Sequence, residues 1–205
     1  MYETEKFSTV NIREYLAQSN DAEIGEEVLL RILSDFSCPL NPDVERFLKE
    51  QSIEFTKKNQ SVTYLVISNE DGELLGYFTI AVKPITVDAG SFSNTVKRKI
   101  SRVSELDEAS HSYNLSAYLI AQIGKNYTNE QNKRITGKEL LELAIDQVRD
   151  MQYLAGGMVI FLEAEDKEPL MKFYRDENNF KSFNTRETKS MVSESHMLVQ
   201  LLKTL

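Results

Sequence analysis

Apolar residues recur at helical spacing from Ile24 through Val28, Leu29, Ile32 and Leu33 to Phe36, which predicts an amphipathic helix behind a polar N-terminal tail. Asn41-Pro42-Asp43 reads as the next helix start, with Asn41 as N-cap and Pro42 at the first helical position. That helix carries Val44, Phe47 and Leu48 on one face and runs to about Lys58. The pattern then turns strand-like. VTYLVIS (62–68) and LLGYFTIAV (74–82) predict two strands, and Asn69-Glu70-Asp71-Gly72 between them is a hairpin signal. Pro84 and the polar residues beyond it are expected to end the second strand. Residues 85–115 read as a loop with a short helix around VKRKISR.

AYLIAQIGK (117–125) predicts a further strand, followed by the loop NEQNKRITGKELL (129–141) and a helix from about 137 to 154. Leu140, Ala144, Val148 and Met151 form the apolar stripe of that helix, and Gly156-Gly157 closes it. MVIFLEA (158–164) is a near-continuous apolar run, the pattern of a strand buried on both faces. KEPLMKFYRDEN (167–178) predicts another helix and HMLVQLLK (196–203) a final strand. Helices, a hairpin, then strand–helix–strand–helix–strand imply one α/β domain with a mixed sheet. No repeat or linker divides residues 1–205.

Composition narrows the class. With 205 residues, 41% apolar and 27% charged, the chain is globular and long enough for one sizeable core. No apolar run reaches membrane-spanning length, and the acidic, polar MYETEKFSTV does not read as a signal peptide. A cytoplasmic location is the default. Cys38 is the single cysteine, so no internal disulfide is expected, and His111 and His196 are too far apart for a zinc-ligand pattern. No metal is expected.

A net charge of −8 argues against broad nucleic-acid binding but leaves room for a local footprint. Lys97, Arg98, Lys99 and Arg102 form one basic cluster, and Lys125, Lys133, Arg134 and Lys138 lie further on. The first cluster also reads as a solvated helix face.

The loop 129–141 admits two compatible readings. Thr136-Gly137-Lys138-Glu139 fits a capping box, in which Thr136 and Glu139 satisfy two backbone donors reciprocally. The N–H groups of Gly137 and Lys138 then stay free at a helix N-terminus, where the dipole favours an anion. Gly137 lets an anion approach closely, and Lys133 and Arg134 add charge.

AYLIAQIGKNYTNEQNKRITGKELLELA followed by MVIFLEAEDKEPLMKFYRDENNF resembles the GNAT N-acetyltransferase family over about residues 60–186, while the helical N-terminal part, 1–58, matches only generally. In that family a strand feeds an R/Q-x-x-G-x-G/A loop that wraps the coenzyme A pyrophosphate. The window here is Asn132-Lys133-Arg134-Ile135-Thr136-Gly137, with Gly137 matching, Asn132 in place of Arg or Gln, and Ile135 in place of glycine. An isoleucine would resist a positive φ there. Phe173-Tyr174 and Phe180 resemble the family's F/L-Y-x-x-x-G-F segment, with one extra residue between and Asn179 in place of the glycine.

The resemblance implies a GNAT-like, mixed and mostly antiparallel sheet flanked by helices, and direct acetyl transfer from acetyl-CoA to a primary amine. It implies Tyr174 as general acid toward the thiolate. Ile123, Gly124 and Lys125 would hold the pantetheine arm and thioester carbonyl, and Lys133, Arg134, Ile135, Thr136, Gly137 and Lys138 the pyrophosphate. Glu163 and Glu165, on one face of their strand, are candidates for a base or for binding a cationic substrate; they read equally as rim carboxylates pairing with Lys167. The expected acceptor is a small-molecule or peptide amine, and a homodimer is common in the family. Two alternatives remain: a CoA- or protein-binding domain without turnover, and a toxin of the branch that acetylates aminoacyl-tRNA, with an antitoxin partner.

Overall fold

A computed structural model describes residues 6–16, 22–188 and 196–205. Residues 1–5 of the tail and the side chains of Ile24 and His196 lie outside what is described. In chain order the elements are β1 (Phe7–Asn11), α1 (Arg13–Leu16), α2 (Ala22–Ser34), α3 (Pro42–Arg46), a π-helical stretch (Phe47–Gln51), α4 (Ser52–Lys57), β2 (Val62–Ser68) and β3 (Leu74–Asp88). Then come α5 (Asn94–Ile100), β4 (Leu106–Asp107), β5 (Ser112–Lys125), a 3-10 stretch (Thr128–Lys133), α6 (Gly137–Ala155) and β6 (Val159–Glu165). The chain ends with α7 (Glu168–Met171), the π-helical Lys172–Glu177, β7 (Lys181–Thr188) and β8 (His196–Thr204). This is an α/β fold with a mixed, mostly antiparallel sheet flanked by helices. β5 pairs β6 in parallel, while β1–β2, β2–β3, β4–β5, β6–β8 and β7–β8 are antiparallel.

Contacts divide the chain into two compact units, 1–81 with 121–144 and 82–120 with 145–205. In the first, β1 pairs β2 and β2 pairs β3, and Asn126 N–H donates to Leu75 O where the end of β5 joins them. The register sets Thr63 opposite Thr79, with their hydroxyls 2.8 Å apart in a buried pair, and stacks Tyr64 on Phe78. Leu29, Leu33 and Phe36 of the α2 segment join Val44, Phe47, Leu48, Leu65 and Tyr77 in its core. Asn41 caps α3 by accepting from Val44 N–H, as its Asn-Pro-Asp start predicts.

In the second unit the order is β5-β6-β8-β7, and β3 neighbours β5, with Ala89 N–H donating to His111 O. Ile85, Val87, Phe92, Ile100, Tyr113, Leu115, Val159, Phe161 and Leu202 make its core.

Three expectations are corrected here. Pro84 does not end β3, which continues to Asp88 with Ile85 and Val87 buried and Pro84, Thr86 and Asp88 exposed. An exposed proline position costs the ladder little when its missing N–H leaves no partner vacant. The region 85–115 is not mainly loop: β3 takes its start and β5 begins at Ser112, while α5 is the expected short helix. Three strands, β1, β4 and β7, have no counterpart in the apolar pattern.

Candidate functional site

In the first unit the candidate site begins at the end of β5. Asn126 is 3% exposed and its side chain ties three segments together: it accepts from the N–H groups of Ser37 and Thr128 and donates to Leu74 O at 2.9 Å. Just before it, Gly124 is obligatory for packing. A Cβ there would lie 2.5 Å from Val44 Cγ1, and its carbonyl oxygen would stand 2.8 Å from a Cβ on Gly76. The missing side chain at 124 therefore makes room for Val44 on α3. Ile123 and Lys125 are half-buried beside it, and Lys125 Nζ donates to Asn132 O at 2.9 Å.

The loop then takes a path that its sequence did not disclose. Its left-handed residues are Asn129 and Glu130, at φ 50° and 60°, whereas Ile135 is 1% exposed and anchors the loop by burial. Ile135 itself keeps a negative φ, so its β-branched side chain is not strained there. Thr136 and Glu139 form the expected capping box: Glu139 N–H donates to Thr136 Oγ1 at 3.1 Å, and Thr136 N–H and hydroxyl donate to Glu139 Oε2 at 2.8 and 2.7 Å. These bonds hold the Glu139 carboxyl below its ordinary range. A helix leaves its first N–H groups without intrahelical partners, so those of Gly137 and Lys138 remain after the box is closed.

Arg134 and Lys133 are occupied. The Arg134 guanidinium makes a two-pronged contact with Asp71 at 2.8 and 3.1 Å, and it also donates to Ser68 Oγ and Gln131 Oε1. This fork ties the loop to the β2–β3 hairpin. It holds the Asp71 carboxyl down to about 2. Lys133 pairs with Glu130, and Lys138 lies 4.0 Å from Glu142. An open groove of about 770 Å³ borders this region, lined by Lys6, Phe7, Ser68, Asn69, Glu70, Leu75 and Arg134.

The remaining candidates sit in the second unit. Tyr174 lies in the π-helical stretch, 9% exposed, with its ring edge-on to Phe173 at 5.0 Å and to Phe180 at 6.0 Å. Burial pushes its hydroxyl up to about 12. Asn179 takes φ 59°, doing by side-chain tolerance what glycine does elsewhere. Glu163 accepts from Arg186 Nη2 at 2.5 Å and from Gln200 Nε2 at 2.7 Å, and Glu165 pairs with Lys167. Both carboxylates are thus engaged, Glu165 by the expected Lys167 and Glu163 by Arg186 and Gln200 instead. The parallel pairing of β5 with β6 spans Tyr118–Ile120 against Ile160–Leu162, and β5 continues for five residues beyond its last pair.

No protein-family model matches the chain, and no curated protein matches it. Solved structures do. AtaT complexed with acetyl-methionyl-tRNAfMet superposes with a TM-score of 0.59 at 14% identity, covering 94% of this chain and 93% of that one. The chain has the GNAT fold. A tyrosine-to-phenylalanine mutant of KacT gives a TM-score of 0.60 at 15% identity, with 98% and 95% of the two chains covered. AtaTR bound with acetyl-CoA gives 0.55 at 15% identity, covering 96% and 95%. Within the GNAT fold the β5 end, the loop and α6 are the elements that the sequence resemblance singled out. Sequence reading missed Asn126 and the Asp71–Arg134 fork. The only available signals were an asparagine closing a strand and an acidic hairpin turn, and neither spacing is diagnostic.

Among the described residues no group of His, Cys, Asp and Glu could hold a metal ion, and no helix is long and apolar enough to cross a membrane.

Proposed function

We propose that the chain is an acetyl-CoA-dependent N-acetyltransferase whose acceptor is the α-amino group of an aminoacyl-tRNA. The observation that carries the transferase reading is the start of α6, where a closed capping box leaves the N–H groups of Gly137 and Lys138 for an anion. In this reading those two groups take the pyrophosphate. The backbone of Ile123, Gly124 and Lys125 takes the pantetheine arm and the thioester carbonyl, and Arg134 positions the loop rather than touching phosphate. The two compact units are read as parts of one acetyltransferase domain spanning 1–205, since β3, β5 and α6 run through both.

In the reaction the neutral amine attacks the thioester carbonyl carbon, the C–S bond breaks, the sulfur leaves with negative charge, and the extra proton on the new amide nitrogen passes to solvent water. At about 12, Tyr174 is protonated at any working pH, so its hydroxyl acts as a donor toward that sulfur. Full proton transfer to a thiolate of ordinary basicity, about 8.5, is uphill. Tyr174 therefore stabilises the leaving sulfur by hydrogen bonding, and transfer completes only as desolvation raises the thiolate's own affinity for the proton.

The choice of acceptor follows from the engagement of the two candidate carboxylates. Glu163 and Glu165 are engaged by Arg186, Gln200 and Lys167. An α-amino group, with a pKa of about 7.7–8.0, has an appreciable neutral fraction at neutral pH, whereas a lysine-type amine near 10.4 does not. A site whose described candidate carboxylates are both engaged suits the former. The tRNA in the AtaT complex supports the same class. A cytoplasmic location and a homodimer, with an antitoxin as protein partner, belong to this reading.

A second reading, coenzyme binding without turnover, draws on Arg134 being spent on Asp71. Melting curves separate binding from its absence. Acetyl-CoA at a hundredfold excess over Kd stabilises by about 2.7 kcal/mol, a rise of roughly 5–10 °C for a chain of this length. No rise at millimolar acetyl-CoA contradicts both readings.

A further inference from the structure

The basic cluster on α5 is left unused by the transferase chemistry, and its surroundings give it a role. α5 is amphipathic: Val96 and Ile100 pack into the core of the second unit, and Arg98 and Lys99 are exposed with Lys97 half-buried beside them. Many of the protein's other cations are paired, as in Arg46–Asp43, Lys49–Glu45, Arg149–Asp146 and Arg186–Glu163. Among the described residues Lys97, Arg98, Lys99 and Arg102 form no ion pair. The acidic residues that follow do not neutralise them, and Asp107 instead accepts from the N–H groups of Ala109 and Ser110. In a protein of net charge −8, four unpaired cations within six residues are a concentrated exception.

The segment leading into α5 also lines a cleft of about 200 Å³, together with Asn179, Lys181 and Lys203. Lys203 Nζ lies 5.7 Å above the Phe180 ring, and Phe180 packs on Tyr174. The cleft is thus bordered by Val96 of α5, beside the cationic cluster, and by two further cations, one of them over the ring that packs on the proposed catalytic tyrosine, within one compact unit.

We propose that α5 and this cleft are the docking surface for the phosphodiester backbone of the RNA acceptor, with Lys97, Arg98, Lys99 and Arg102 as the main phosphate contacts and Lys181 and Lys203 leading toward Tyr174. The proposal rests on the acceptor reading above for its choice of RNA. Phosphate contacts of this kind set affinity and salt dependence without reading sequence.

The test is fluorescence anisotropy of labelled, deacylated tRNA across a salt series, with parental protein, the Lys97→Ala/Arg98→Ala/Lys99→Ala variant and the Lys181→Ala/Lys203→Ala variant. Each lost contact lowers the slope of log K against log salt by about 0.7–0.9, so the triple variant is expected to lose about 2 from the slope and at least tenfold in affinity at low salt. The double variant is expected to lose about two-thirds as much from the slope. Melting curves with and without acetyl-CoA accompany each variant. Unchanged tRNA affinity and slope in a triple variant that still melts cooperatively and shifts with acetyl-CoA would overturn the docking surface while leaving the transferase reading intact. Absence of the acetyl-CoA shift in the parental protein would contradict the transferase reading, and a slope loss on tRNA would still support the surface.

Discussion

Tyr174 and Asp71 show how the environment sets the chemistry of single groups. Burial raises Tyr174 to about 12, so between pH 10 and 12 the tyrosine of the unfolded chain ionises while the folded one does not. The unfolded state then binds fewer protons, and stability falls as pH rises, by about 3 kcal/mol from this residue once both pKa values are passed. Tyr174→Phe is expected to flatten that part of the stability–pH curve and to lower kcat while the acetyl-CoA melting shift stays. A parental rate in the variant contradicts the donor role. Asp71 shifts the other way. Its folded pKa of about 2 means that the fork's contribution is complete above the ordinary carboxylate range and is lost as pH falls toward 2. Asp71→Asn is therefore expected to make acid unfolding between pH 4 and 2 less steep, read by circular dichroism. An unchanged acid limb would mean that Arg134 finds an equivalent partner.

At the scale of elements, the start of α6 carries most of the argument. Thr136→Ala removes one side of the capping box and is expected to cost about 1 kcal/mol in denaturant melts, with the acetyl-CoA shift kept, because Gly137 and Lys138 N–H are untouched. Gly137→Val is expected to weaken acetyl-CoA binding. If it changes stability alone, the loop is only a capped helix. Gly124→Ala pushes a Cβ against Val44 and is expected to cost about 1–3 kcal/mol by overpacking.

These elements were legible where periodicity and local chemistry agree: the Asn41 cap, the hairpin at 69–72, α6 with its closing Gly156-Gly157, and β6. β7 was not, because all but one of its residues with described side chains are exposed and polar, as on an edge strand. β1 is half-buried throughout and shows no clean alternation. The Arg134–Asp71 fork joins residues 63 positions apart, a distance over which no local pattern speaks.

For the whole molecule, shape and sequence carry different information. At 14–15% identity the GNAT fold is shared with AtaT and KacT, while activity and acceptor are proposals that stand on the α6 terminus, on Tyr174 and on the engaged carboxylates of Glu163 and Glu165. The overall negative charge also fits a protein that engages a polyanion through one local surface, with weak binding elsewhere. The most direct measurement is transfer of labelled acetyl from acetyl-CoA to a pool of aminoacyl-tRNA, with parental protein and Tyr174→Phe side by side. The expected result is label on the α-amino group of the aminoacyl ester, transferred at least tenfold more slowly by the variant. Acetyl-CoA binding without label on any aminoacyl-tRNA would contradict the account.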